Sequence, residues 1–343
     1  MDPVDPVALA RSLIDIDSTT GREAGVAGVI AAYLRDRGYS VLEQPIEGGG
    51  PDFGPAENRR CNIVAAAGEP QVIFSTHFDC VPPFFPSRVE GDLLHGLGAC
   101  DAKGILAAQI AAAERLRAEG ETRVGLVFVA GEERGSDGAM AVNRIASPAK
   151  FLVNGEPTGN RLGLATRGVY RVRLRTTGRA AHSGYPELGE SAIEKLLDVL
   201  HAMRGAPWPA DELLGTTHYT VGLISGGVAP NVIPPHAEAE IIFRSVADHA
   251  ALRAALARVV DGRASVEEVL EVPPVRLRTE QGFETAVFSY TTDIPFLTNW
   301  GTPLLIGPGS IHVAHTDREH IAIPELQRGI DLYASLARRL LAV

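Results

Sequence analysis

The sequence predicts an α/β protein: a mostly parallel sheet flanked by helices, into which a smaller ferredoxin-like α+β domain is inserted. Three observations lead there. Short, wholly apolar runs alternate with helical repeats through the first half of the chain; near Ala165 the pattern changes to apolar residues alternating with arginine; and α/β character returns after Pro273-Pro274. The expected boundaries are 1–164 with 274–343 for the larger domain and 165–273 for the insert.

Taken in order, Val7 to Ile14 and Glu23 to Arg37 carry apolar residues at helical spacing, with Gly38 as a stop. Gly48-Gly49-Gly50-Pro51 opens a loop. Gln71 to Thr76 reads as a short buried strand that runs into His77-Phe78-Asp79, and Ala102 to Arg117 as an alanine-rich helix preceded by Asp101. Val124 to Ala130 is a second buried strand ending in Gly131-Glu132-Glu133, and Phe151-Leu152-Val153 a third ending in Asn154-Gly155-Glu156. Parallel strands of this kind place their C-terminal ends, here rich in acids and imidazole, at the edge where α/β sheets bind ligands.

In the insert, Tyr170, Val172 and Leu174 alternate with Arg171, Arg173 and Arg175, the pattern of a sheet with one wet face. A helix at Ser191 to Met203, strands at Tyr219 to Ile224 and Glu238 to Arg244, a helix at Asp248 to Val260 and a strand at Ser265 to Val272 complete a β-α-β-β-α-β order. Pro324 to Leu341 is a final helix of the larger domain.

Composition narrows the function. The 343 residues are 45% hydrophobic and carry 32 Lys+Arg against 42 Asp+Glu, the profile of a globular protein of about two domains. A net charge of −10 without a basic run argues against nucleic-acid partners and anionic membrane surfaces. The acidic start Met1-Asp2-Pro3-Val4-Asp5 does not read as a secretory signal, and Val124 to Ala130 is far short of a membrane span, so a cytoplasmic protein is expected. Cys61, Cys80 and Cys100 are sparse, odd in number and without CxxC spacing, which fits reduced thiols.

His77, Asp101, Glu132, Glu133, Glu156 and His315 supply two imidazoles and four carboxylates at strand ends or helix starts. Several gathered anions repel one another unless a cation neutralises them. A His and carboxylate donor set without thiolate points to zinc or another divalent first-row metal in a site with an open position. Residue spacing leaves His312, His315 and His320 as alternatives for the distal imidazole.

The segments Ser75-Thr-His-Phe-Asp79, Gly98-Ala-Cys-Asp-Ala-Lys-Gly104, Gly131-Glu-Glu-Arg-Gly-Ser-Asp-Gly138, Asn154-Gly-Glu-Pro-Thr158 and Ala314-His-Thr-Asp-Arg-Glu319 resemble, in order and spacing, the zinc amidohydrolases that include acetylornithine deacetylase, succinyl-diaminopimelate desuccinylase, aminoacylase and carboxypeptidase G. The resemblance implies two divalent ions, zinc with cobalt or manganese as substitutes. Asp101 would bridge them, with His77 and Glu156 completing one site and Glu133 and His315 the other. Glu132 would be the general base acting on the bridging water, and Asp79 would accept from the second nitrogen of His77. In the inserted domain, a dimerisation or lid module by resemblance, His182 would reach into the partner's site and polarise the scissile carbonyl, while Asn231 and Arg244 would hold the substrate, Arg244 through an α-carboxylate. The implied activity is hydrolysis of the linear amide of N-acyl-amino acids by a homodimer, in the manner of acetylornithine deacetylase. A carboxypeptidase or dipeptidase acting on short peptides is the alternative. A catalytically silent binding protein is a third reading, opposed by the presence of all six donor and base positions.

Overall fold

The structure is a computed structural model that describes residues 2–46 and 60–343; the loop expected at Gly48-Gly49-Gly50-Pro51 lies outside the described residues. The chain divides into two compact units, one of Met1–Leu164, Leu277–Ala286 and Thr292–Val343, the other of Ala165–Arg276 and Val287–Thr291.

The first unit is built on a six-stranded mixed sheet in the order Ser40–Pro45, Cys61–Ala66, Val124–Val129, Val72–His77, Phe151–Asn154, Thr302–Leu305. The last four run parallel and the first two pair antiparallel. Val72–His77, Val124–Val129 and Phe151–Asn154 are buried at every position, as uniform apolarity requires of strands covered on both faces. The strands at Ser40–Pro45, Cys61–Ala66 and Thr302–Leu305 carry no comparable signal. The first is largely exposed and the last is four residues long with a proline.

Helix Lys103–Ala118 is buried along most of its length, and its alanines allow close approach to the sheet. Helix Ile323–Leu341 packs beside it. The ring of Tyr333 of that helix packs tilted against Phe74 of the central strand, centroids 5.2 Å apart, and its hydroxyl donates to the Ile306 carbonyl at 2.6 Å. Because Val72–His77 pairs in parallel with Val124–Val129 and with Phe151–Asn154, with His77 opposite Val129 and Ser75 opposite Asn154, all three strands end at one edge. That register gathers the site.

The second unit holds a four-stranded antiparallel sheet in the order His218–Gly226, His236–Ser245, Gly168–Thr177, Ser265–Val272, with helices Ala192–Arg204 and His249–Val260. Tyr170, Val172 and Leu174 enter its core, while Arg171, Arg173 and Arg175 on the other face pair with Glu238, Glu240 and Glu267. Among the described residues no helix is long and apolar enough to cross a membrane.

Candidate metal centre

Strand Val72–His77 delivers His77 at its last position, fully buried. Its Nε2 stands 3.0 Å from Asp101 Oδ1. Its Nδ1 lies 3.0 Å from the backbone carbonyl of Asp79 and 3.5 Å from the Asp79 carboxylate. With Nδ1 donating to Asp79, Nε2 is the nitrogen that faces the acids, and loss of its proton would free a lone pair there for a cation. The main-chain carbonyl of Asp79 is the nearer acceptor, and the carboxylate that the resemblance implied stands beside it at 3.5 Å. The carboxylate of Asp79 also serves as an anchor, accepting from the N–H groups of Glu132 and Glu133 at 3.1 and 3.2 Å and from the Thr20 hydroxyl at 2.8 Å.

Asp101 precedes helix Lys103–Ala118 by two residues. While Oδ1 faces His77, Oδ2 lies 3.3 Å from His315 Nε2, which in turn is 2.9 Å from Glu133 Oε1. Donor atoms of His77, Asp101 and Glu156 all fall within 4.8 Å of one another, and so do those of Asp101, Glu133 and His315. One carboxylate is shared by two triads, each oxygen turned to a different imidazole. Of the three candidate imidazoles, His315 enters this group, whereas His320 bonds the Arg318 carbonyl and stacks near His95, and His312 is exposed.

The electrostatics measure how strongly anions are crowded here. Burial would lower the His77 pKa, yet hydrogen bonds to Asp101 and Asp79 outweigh it and raise it well above its ordinary value. Contacts with Asp101 and Glu133 push His315 up to about 10. Burial would raise Asp101, but hydrogen bonds from His315 and His77 hold it well below the usual range. Glu156 is driven up by burial and by Asp101, and Glu132 by burial and by Glu156.

Such a donor set fits divalent cations. Glu156 Oε1 is buried and finds no hydrogen-bond partner among the described residues. The buried Lys103 directs its Nζ to the Ile16 carbonyl at 2.9 Å, not to the carboxylates. His77 with Glu156, and Glu133 with His315, can therefore each hold one ion, with Asp101 between them. Glu132 lies outside both triads, beside Glu133 in the short 3₁₀ turn Glu132–Arg134 that follows strand Val124–Val129.

Two acids near the centre were not singled out by the sequence reading. Glu319 accepts the backbone N–H groups of Cys100 and Asp101; it stood inside a noted motif, but nothing local assigns it that task. Asp293, buried and pushed up to about 7 mainly by burial, bears on Glu132 and Glu156, and an isolated acid in Thr291-Thr-Asp-Ile294 gave no signal.

In the second unit, His182 is exposed and bridges to Val232 in antiparallel pairing, and Ser183 N–H donates to the Asn231 carbonyl at 3.0 Å, so His182 and Asn231 share one locality. Arg244 lies at the end of strand His236–Ser245, opposite His218. No described residue offers it an ion pair or a hydrogen bond, and burial lowers its pKa. A half-buried guanidinium without an anion is an open acceptor-binding fork.

The profile of peptidase family M20/M25/M40 matches residues 73–339. A probable carboxypeptidase of Aspergillus terreus is 35% identical over 366 aligned residues that cover 95% of this chain and 84% of that protein. Among solved structures, aminopeptidase PepT of Bacillus cereus is similar with a TM-score of 0.80 at 21% identity, over 98% of each chain. A family M20 metallo-carboxypeptidase of Sulfolobus solfataricus is similar with a TM-score of 0.77 at 15% identity, over 100% of each. At these identities the solved structures speak to the fold, and their names point to opposite ends of a peptide. The fold and the family profile agree: this chain is a member of peptidase family M20/M25/M40 and a hydrolase of that group.

Proposed function

We propose that the protein is a dinuclear metal-dependent hydrolase of linear amides, cleaving N-acyl-amino acids. The observation that carries the reading is Asp101, whose two oxygens face the imidazoles of two separate donor triads. When bound, two divalent cations, zinc in this reading, would supply Lewis acidity toward a carbonyl and lower the pKa of the attacking water.

The chain's own residues do the rest. Glu132, outside the donor triads and made more basic by burial and by Glu156, takes the proton of the attacking water and hands it to the leaving amine. His182 donates to the developing oxyanion from the opposite protomer of a dimer, and Asn231 helps hold the substrate. Arg244 binds the α-carboxylate of the leaving amino acid, which its unpaired guanidinium supports. Three buried free cysteines are compatible with a reducing, cytoplasmic setting.

A homodimer through the second unit is supported by strand His218–Gly226, which sits at the edge of its sheet with Leu223 66% and Ile224 57% exposed. An open apolar edge is a template for strand pairing with a second copy. Leu223→Glu should give a monomer by light scattering where the parent is a dimer.

A second reading, a carboxypeptidase or dipeptidase, is favoured by the name of the 35% identical Aspergillus terreus relative. One assay separates them: acetylornithine, other acetyl-amino acids and dipeptides are offered to protein loaded with zinc or cobalt, with metal content measured on the same sample. Turnover of acyl-amino acids well above dipeptides supports the leading reading, and the reverse order the second. No uptake of either metal would refute both.

A further inference from the structure

The turn that carries Glu132 and Glu133 is gripped from three sides. Asp79 takes the N–H groups of both glutamates. Asn62 spans the turn's two ends, its Oδ1 accepting from Ala130 N at 3.1 Å and its Nδ2 donating to the Gly138 carbonyl at 2.8 Å. Arg60, only 4% exposed, forks onto Asp137, with Nη1 at 2.5 Å from Oδ2 and Nη2 at 3.0 Å from Oδ1, while its Nε donates to Glu23 Oε1 at 2.9 Å.

These contacts close a ring. Glu23, fully buried, accepts from Gly21 N at 2.7 Å through Oε2. One residue before Gly21, the Thr20 hydroxyl donates to Asp79 Oδ2 at 2.8 Å. The path thus runs from Arg60 through Glu23 and the 20–21 turn to Asp79, on to the N–H groups of Glu132 and Glu133, and back through Asp137. Gly131 has φ 82°, and a Cβ there would stand 1.9 Å from Asp137 Oδ1 and 2.4 Å from Arg60 Nη2. The backbone entering the turn therefore rests directly on the ion pair.

We propose that Arg60 is a positioning residue: by bridging Glu23 and Asp137 its guanidinium sets where the 131–136 turn stands, and hence where Glu132 and Glu133 point. It touches no substrate. A buried ion pair is a poor way to gain stability, because desolvation offsets most of the attraction, but a planar fork has direction. Displacing a reacting group by about 1 Å costs on the order of a hundredfold in rate, so a directional clamp behind the turn has an evident use. The inference rests on the reading of Glu132 as base and Glu133 as ligand, yet the turn's mobility can be read without any catalysis.

The test compares the full chain with Asp137→Asn, which weakens the fork, and Arg60→Lys, which keeps the charge and loses the planar geometry. Amide hydrogen exchange is followed in metal-free protein, and kcat, KM and zinc content in loaded protein. Exchange across 130–136 is expected to rise by about tenfold or more while helix Lys103–Ala118 stays at the parental rate. In both variants kcat should fall at least about tenfold with KM within about threefold, in Arg60→Lys even though the charge is kept. Should either substitution prevent folding, Glu23→Gln, a near-isostere that retains an acceptor for Arg60, takes its place and should loosen the same segment. Parental exchange across 130–136, or a rise shared equally by helix Lys103–Ala118, overturns the proposal. A parent that exchanges as described but hydrolyses nothing would instead count against the proposed function alone.

Discussion

Glu319 holds Asp101 by its backbone: Oε1 accepts from Asp101 N at 3.0 Å, and the same oxygen accepts from Cys100 N at 3.0 Å. The residues are 218 positions apart in sequence. Glu319 is buried, and burial together with the neighbouring Asp101 pushes its carboxyl up to about 7. Glu319→Ala strands two buried donors at about 1–3 kcal/mol each and frees the residue that both donor triads share. Thermal unfolding should come earlier, and zinc affinity in a chelator competition should fall about 10- to 100-fold. Parental affinity would mean that Asp101 is held in place by other contacts.

Glu132→Gln separates chemistry from metal binding. The variant should keep its metal content, since Glu132 belongs to neither donor triad, and lose about 10²- to 10⁴-fold in kcat. Residual turnover above about a tenth of the parent would contradict the general-base role.

Metal uptake should release protons. His315 is raised to about 10 from its ordinary 6.5, and His77 is also raised, so near pH 8 the metal-free chain holds imidazolium at the positions where a cation must bind. Zinc binding measured calorimetrically in two buffers of different ionisation enthalpy should show proton release, with affinity increasing as pH rises. The sign for folding is the reverse: a folded pKa raised above the unfolded one stabilises fully below about 6.5 and loses that contribution as pH rises through about 10. Stability of metal-free protein should therefore decline over that window. A flat profile with no buffer dependence would rule out protonated imidazoles at the centre.

Arg244→Met should raise KM for substrates with a free α-carboxylate by about tenfold or more, the size of a lost charge-assisted pair, and leave the amidated analogues nearly unaffected. Arg244→Lys should restore little, because an ammonium lacks the planar fork. Equal loss on both substrate series would show that Arg244 binds something other than the carboxylate.

The thiols should be inert in the folded protein. Burial pushes Cys61 up to about 11 and Cys80 up to about 12, and Cys100 is raised as well, so few are thiolate at pH 8. A disulfide reagent should label none of the three before unfolding and all three after it. Rapid labelling of any one in native protein would contradict its burial.

Much of the larger unit was legible along the chain because uniform apolarity marks a strand covered on both faces. Val72–His77 and Val124–Val129 announce themselves in that way, whereas Ser40–Pro45, wet along most of its length, does not. The donor residues were likewise readable by type, most of them at strand ends or a helix start. Their pairing was implied by the family resemblance but not legible in the spacing of the residues. That His315 and not His312 or His320 meets Glu133, that the Asp79 carboxylate holds the N–H groups of Glu132 and Glu133 while its carbonyl takes His77, and that Arg60 reaches Asp137 across 77 positions all follow from parallel register and the packing of distant loops. Periodicity encodes which side chains leave water, a local property. Which polar groups then meet depends on how strand ends line up, and that alignment exists only once the sheet has formed.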